Sequence, residues 1–405
     1  MDGESPHKNL TLREVGMEYL NQYNDLLRYV FQVTQQDLEE GGYEEGELER
    51  AKRPVLRNAS VYGWFNKDDE LVSQISIYPC EVNLYGKIIK MGGVTGVGTY
   101  PEYSSQGLMV DLIKRALTDM REKQQWISFL YPYSIPYYRR KGWEIISDHM
   151  TFVLKDTQLP KPVDVSGHVE RLSATDDDVG IAYDIFAHAT HGAMLRSKIH
   201  WDEYWRWENE DERTAAVYYN VQNQPEGCMF YWIAEDVFHI KEMFYLNQEA
   251  RKGLWNFISA HFSMIDEVRG NGYTDEAIAF LIEESEVQET IEPYYMARIV
   301  DVAHFLEQFP FAGTAEPFHF VIKDPIASWN NGIFSLQWQD ETIAIGNEPI
   351  GEAVYTDIQT LTTMLMGYKR PTYLAKVDRL KAGRRVINAL EKIIPNETPY
   401  FSDYF

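Results

Sequence analysis

GGVTGVGTYPEYSSQGLMVDLIKRALTDMREK, residues 92–123, is the stretch whose reading decides the fold. It begins as a β-strand, passes through a short loop and ends as an amphipathic helix. Leu108, Met109, Leu112, Ile113, Ala116, Leu117 and Met120 recur at helical spacing and form one apolar stripe. The charged residues from Asp111 to Lys123 fall mostly elsewhere. The first turn of a helix has unpaired N–H groups and the positive end of the helix dipole, so it holds a pyrophosphate without any basic side chain. Gly107, at the loop–helix junction, and Gly96 and Gly98, in the strand, permit close approach of a ligand. A glycine inside a strand also marks a bulge. Val97 to Thr99 would then hydrogen-bond an extended ligand as if it were another strand. The alternative on spacing alone is a packed strand–turn–helix without a ligand. The P-loop pattern and the three-glycine dinucleotide fingerprint are both absent.

A second pattern follows. ISFLYP, residues 127–132, reads as a buried strand, and PYYRRKGWE, residues 136–144, brings Tyr138, Gly142 and Trp143 after it. Ser104 to Met109 resembles the acetyl-CoA signature of the GNAT acetyltransferase superfamily, Gln/Arg-x-x-Gly-x-Gly/Ala. Ser104 stands in place of Gln or Arg, and Met109 in place of the small residue. The segment from Tyr138 to Trp143 resembles the superfamily's Tyr-x-x-x-Gly-aromatic motif, whose tyrosine lies beside the CoA sulfur. The two motifs at this distance are more specific than either alone.

The 405 residues suffice for two or three domains, and a hydrophobic content of 44% supports sizeable cores. The net charge of −24 argues against nucleic acid and anionic membranes, which need basic surface. It suits a small cationic substrate, although solubility alone explains most of it. Two cysteines, Cys80 and Cys228, without metal-type neighbours give neither a disulfide framework nor a zinc site, and no metal is expected. No signal-peptide core and no apolar run of membrane-spanning length are present, so a cytoplasmic protein is expected.

Three units are expected along the chain, with an overall α+β class of mixed sheets and helices. In the first, residues 1–155, strands are expected at 71–79 and 81–85, followed by a turn at 85–87. The acidic run at 37–50 reads as a solvated helix or loop, or as a wall of a cation-binding cleft. A linker at 154–168 carries prolines and a glycine. The second unit, 165–290, echoes the order of the first but lacks its glycine loop. Trp201, Tyr204, Trp205 and Trp207 within it suit a ligand cage, or more simply a core or domain interface. The third unit, 291–405, is a small sheet with helices on one side, its last helix expected at 377–393.

This layout resembles the Eis (enhanced intracellular survival) family: a GNAT domain, a degenerate second GNAT domain and a sterol-carrier-protein-like α+β domain. PYYMARIVDVAHFLEQFPF, residues 293–311, is similar to the entry of that third domain. The resemblance implies transfer of acetyl from acetyl-CoA to the amine of an aminoglycoside, polyamine or lysine-like acceptor, by a homo-oligomer, commonly a hexamer. It implies that Val97, Gly98 and Thr99 hold the pantetheine arm, and that Ser105, Gln106, Gly107, Leu108, Met109 and Val110 form the pyrophosphate loop. Tyr133 and Ser134 would give a further CoA contact. Tyr138 would be the general acid, and the C-terminal carboxylate of Phe405 would enter the site as base.

The chemistry is coherent with these roles. Tyrosine, with a pKa of about 10, can protonate a thiolate whose parent thiol lies at about 8.5. A carboxylate at about 3.5 taking a proton from an ammonium near 10 faces a gap of roughly 8–9 kcal/mol. Burial narrows that gap, and charge recognition of the ammonium or a water relay serves equally. The rival expectation is a non-catalytic protein that binds CoA or a lipid through its third domain.

Overall fold

The structure, a computed structural model, describes residues 9–40, 47–205, 214–273, 276–340 and 342–405. Its first sheet has the strand order 11–14, 60–65, 71–84, 87–99, 127–130, 296–299, 144–145, and Met194–Leu195 adds to the free edge of 71–84. Leu71–Leu84 is one strand, not the two expected. Its register against Lys87–Thr99 runs unbroken through Pro79↔Gly92, Cys80↔Met91 and Glu81↔Lys90. Pro79 is tolerated because it falls between the end of one neighbour at Ile77 and the start of the other at Glu81. The turn forms where expected, with Tyr85 at φ 48° and Gly86 at φ 87°, the left-handed pair that matches strand twist.

The second sheet has the order 288–293, 148–155, 267–272, 237–245, 225–234, 214–219, 168–173. Two strands therefore cross between the units. Asp148–Lys155 leaves the first unit to pair with Glu267–Gly272 and Gln288–Pro293. Met296–Ile299 returns to the first sheet and pairs with both Ile127–Leu130 and Glu144–Ile145. Sequence divisions at 155 and 291 thus do not coincide with sheet membership. The linker expected at 154–168 begins with the end of that crossing strand.

The third sheet has four strands in the order 342–346, 332–339, 318–323, 352–357. Of the last helix expected at 377–393 only Arg384–Ile393 forms, and a separate short helix, Pro371–Lys376, ends just before that range. Between them Asp378 takes φ 60°, and Lys381 exchanges backbone hydrogen bonds of 2.9 and 3.0 Å with Tyr355. One continuous apolar core joins the first sheet to this unit and includes Phe129, Ile299, Phe318, Phe401 and Phe405. Arg298, on the crossing strand, forms a fully buried ion pair with Asp324 and fixes the third unit against the first.

Candidate active site

Gly96 has φ 59°, and the register beside it jumps from Gln74↔Gly98 to Ser76↔Thr95. This is the strand bulge expected from its sequence. Only glycine fits, because a β-carbon there would lie 2.9 Å from Ser76 Oγ and 3.1 Å from Tyr23 Oη. On its other edge, Lys87–Thr99 runs parallel to Ile127–Leu130 from Met91↔Ile127 to Val94↔Leu130. The second strand then ends. Thr95 to Thr99 has no strand beside it on that edge among the described residues, and the sheet opens into a fork. Val97, Gly98 and Thr99 lie along this edge. Gly98 is covered from one face by Val30 of the helix Leu20–Val30.

Beyond the fork the chain makes a short 3-10 turn at Pro101–Tyr103 and enters the helix Leu108–Glu122 through Ser105 at φ 61° and Gly107 at φ 85°. No side chain caps this helix. The N–H groups of Ser105, Gln106, Gly107, Leu108 and Met109 have no acceptor among the described residues, while Val110 N donates to Gly107 O at 2.9 Å. The indole of Trp64 donates to Leu108 O at 3.0 Å and fixes the helix start. The loop thus leaves five donors without an acceptor among the described residues at the positive end of a 15-residue helix.

Tyr138 lies on the short helix Ile135–Arg139, which Ser134 opens by accepting from Tyr137 N and Tyr138 N. Its ring meets Trp143 edge-on and belongs to the same buried cluster as Val94, Leu108 and Leu130, against which Val97 and Met109 pack. The structure therefore brings Tyr138 together with the fork strand and the glycine loop. Its hydroxyl has no hydrogen-bond partner among the described residues. Burial pushes its pKa above the ordinary tyrosine value, which keeps it protonated at neutral pH. Tyr133 is exposed and Ser134 half-buried at the same end of the fork.

Phe405 belongs to the other face of this sheet. It is buried, its ring lies against Gly93, and its N–H donates to Tyr295 Oη at 3.3 Å. Gly92, the preceding residue, faces Met120 of the Leu108–Glu122 helix instead. Tyr138 and Phe405 thus flank the sheet from opposite sides near the fork. Sequence reading missed Tyr131, which follows Leu130 and meets Tyr294, Tyr295 and Tyr404 in edge or tilted ring contacts. It also missed the groups that hold the tail before Phe405. An apolar-polar alternation carries no sign of either.

The second sheet repeats the fork without the cradle. Val237–Tyr245 runs parallel to Glu267–Gly272 only as far as Ile240↔Gly270, with a register shift beside Lys241. Yet its helix, Gln248–Ser259, starts at Asn247, whose side chain accepts from Ala250 N at 2.9 Å and occupies that terminus. A cavity of about 410 Å³ sits in this second fork, lined by Asp148, Tyr204, Asn271, Tyr273, Glu276 and the tail from Thr398. Tyr204 and Trp205 are buried against Phe230 in the second unit's own core, where Tyr204 also meets Trp201, rather than forming an open cage. Trp207 and residues 41–46 of the acidic run lie outside the described residues; its flanks are the helices Gln35–Glu40 and Glu47–Asn58.

Comparison with known proteins agrees with this layout. Residues 11–146 match an acetyltransferase (GNAT) domain family, residues 192–299 match a second acetyltransferase (GNAT) domain family, and residues 302–402 match a sterol carrier protein domain family. No curated protein sequence matches the chain significantly. Among solved structures, a conserved protein of unknown function from Enterococcus faecalis, described as a probable N-acyltransferase, is 26% identical with a TM-score of 0.86. The match covers 98% of this chain and 99% of that one. A GCN5-related N-acetyltransferase from Anabaena variabilis is 21% identical, with a TM-score of 0.85 and coverage of 98% and 100%. Eis1 from Mycobacterium abscessus is 18% identical, with a TM-score of 0.79 and the same coverage. The chain is an α+β protein made of two GNAT acetyltransferase domains followed by a sterol-carrier-protein-like domain.

Proposed function

We propose that the protein is an Eis-type N-acetyltransferase that moves acetyl from acetyl-CoA to a primary amine of a small cationic acceptor. The observation that carries this reading is the first fork: a bulged, unpaired strand edge, five free N–H groups at Ser105 to Met109, and the unpartnered Tyr138 hydroxyl. Those donors suit a pyrophosphate although Ser104 and Ser105 bring no charge. The edge at Val97 to Thr99 suits an extended amide-bearing arm, and Tyr133 and Ser134 stand where that arm would end.

Tyr138 gives its proton to the leaving thiolate as the C–N bond replaces the C–S bond. Burial makes it a weaker acid than free tyrosine, so the proton moves as thiolate charge develops, not before. The Phe405 carboxylate orients the amine and accepts the proton that nitrogen loses. The net charge of −24 favours a cationic acceptor such as an aminoglycoside, a polyamine or a lysine-like amine. A homo-oligomer, a hexamer in the Eis manner, is the expected assembly, and the cytoplasm the expected compartment. Among the described residues no helix is long and apolar enough to cross a membrane.

The test is thiol release from acetyl-CoA on addition of each amine class, with the wild-type protein and with Tyr404–Phe405 deleted. Release with at least one amine, lost on deletion, supports the reading. Release with none supports the rival, a non-catalytic CoA- or lipid-binding protein, which Ser104 and Met109 favour.

A further inference from the structure

The segment from Thr398 to Phe405 forms neither helix nor strand, so its local backbone does not hold Phe405 in place. Beyond Phe405's own contacts with Gly93 and Tyr295, the tail just before it is held by a buried cluster on the second domain. The Arg196 side chain is fully buried; its Nε lies 2.6 Å from Asp403 Oδ1 and its Nη2 3.0 Å from Glu242 Oε2. The guanidinium lies over the rings of Tyr183, at 3.9 Å, Tyr204, at 4.0 Å, and Trp201, at 4.7 Å. Tyr204 donates to Glu242 Oε2 at 2.7 Å, and the hydroxyls of Tyr400 and Ser402 both donate to its other oxygen. Tyr294 donates to the Asp403 carbonyl at 2.9 Å, and Tyr400 N to His191 O at 2.8 Å.

A buried ion pair is a poor device for stability alone, because desolvation offsets much of its attraction. Here one cation serves two carboxylates. Burial pushes Asp403 above the ordinary carboxylate range, and Arg196 offsets only part of that. Burial also pushes on Glu242, but Arg196 and three hydroxyls outweigh it and hold that group low. What the cluster does supply is geometry. A planar guanidinium bonded through Nε to one carboxylate and through Nη2 to another, with three rings against it, has one orientation, and Asp403 is two residues from Phe405.

We propose that Arg196 is a positioning residue for Phe405: it clamps Asp403 against the Glu242 cluster and so delivers Phe405 to the first sheet at Gly93. This rests on the role given to Phe405 above.

The test uses Asp403→Asn and Arg196→Lys in the full-length protein, with two readouts. In acetyl transfer, kcat should fall roughly 100-fold for Asp403→Asn, as expected for misplacing a reacting group by about 1 Å, while the KM for acetyl-CoA stays unchanged. Arg196→Lys, which keeps the charge and loses the fork, should fall between that and wild type. In digestion of the native protein by carboxypeptidase A, both variants should release Phe405 faster than wild type. Asn is nearly isosteric with Asp, and in Asp403→Asn the buried Arg196 keeps Glu242 as its counter-charge, so the test survives where the Arg196 variant does not fold. Wild-type kcat and wild-type protection of Phe405 in Asp403→Asn overturn the proposal, even where deleting Tyr404–Phe405 abolishes activity. If that deletion leaves activity intact, the role of Phe405 fails instead, and the digestion still decides whether the clamp exists.

Discussion

The ring of Phe405 lies directly over Gly93: a β-carbon built on Gly93 would stand 2.7 Å from Phe405 Cε2 and 2.9 Å from its Cζ. Glycine is required at that point of the strand for the sake of a residue far along the chain. Gly93→Ala should push the Phe405 ring away while leaving the fork and the glycine loop intact. The expected result is a fall in kcat of roughly 10- to 100-fold with an unchanged KM for acetyl-CoA. Steady-state kinetics on a folded variant decide it, and a wild-type kcat would separate Phe405 from the chemistry.

Tyr138 contributes through one atom. Its ring is buried and packed against Trp143, so Tyr138→Phe keeps the packing and removes only the unpartnered hydroxyl. Loss of a general acid should lower kcat by roughly 10²- to 10⁴-fold, with acetyl-CoA affinity retained. Because burial raises the hydroxyl's pKa, any loss of wild-type activity from Tyr138 ionisation should fall above the ordinary tyrosine value of 10. Full turnover by the Phe variant would remove the acid role.

Gly107 tests the loop separately from the chemistry. At φ 85° it occupies a conformation that β-branched residues avoid. Gly107→Val should distort the start of the Leu108–Glu122 helix at a cost of about 1–2 kcal/mol. That corresponds to a rise of roughly 5- to 30-fold in the KM for acetyl-CoA, with kcat at saturation largely kept. A CoA-binding titration measures it directly. Unchanged affinity would mean that the free N–H groups at Ser105 to Met109 do not bind the donor.

Much of the first fork is legible in the sequence because its determinants are local. Gly96 signals the bulge, Gly107 the left-handed turn, and the apolar stripe from Leu108 to Met120 the helix. The exchange of Asp148–Lys155 and Met296–Ile299 is not legible, since a strand's alternation sets which face is buried and not which strand lies beside it. The break expected between 71–79 and 81–85 is overridden by pairing with Lys87–Thr99. The clamp is invisible for a related reason: nothing near Arg196 in sequence points to Asp403, and Asp403 alone reads as one acidic residue of an aromatic tail. Tyr138 and Phe405 were named through a family resemblance, and their placement on opposite faces of one sheet comes from the fold.

His191 ties the second domain to the sterol-carrier-like domain. Its Nδ1 accepts from Tyr85 N at 3.2 Å, its Nε2–H donates to Met366 O at 2.9 Å, and its ring stacks 3.6 Å from that of Tyr85. This arrangement needs the neutral ring. Burial lowers its pKa from the ordinary 6.5 to about 4. The folded state therefore binds a proton less readily than the unfolded chain, and the contribution to stability is fully present above pH ~6.5. It is lost progressively as pH falls from about 6.5 through 4, amounting to about 3 kcal/mol at ~1.36 kcal/mol per unit. His200, also lowered to about 4 by burial, acts in the same direction, whereas Asp403, raised by burial, acts in the opposite one. Thermal unfolding followed from pH 7 to pH 4 should show a steep fall for the wild type and a shallower one for His191→Gln, which carries no titrating ring. Parallel curves for the two proteins would mean that His191 is not held neutral at this interface.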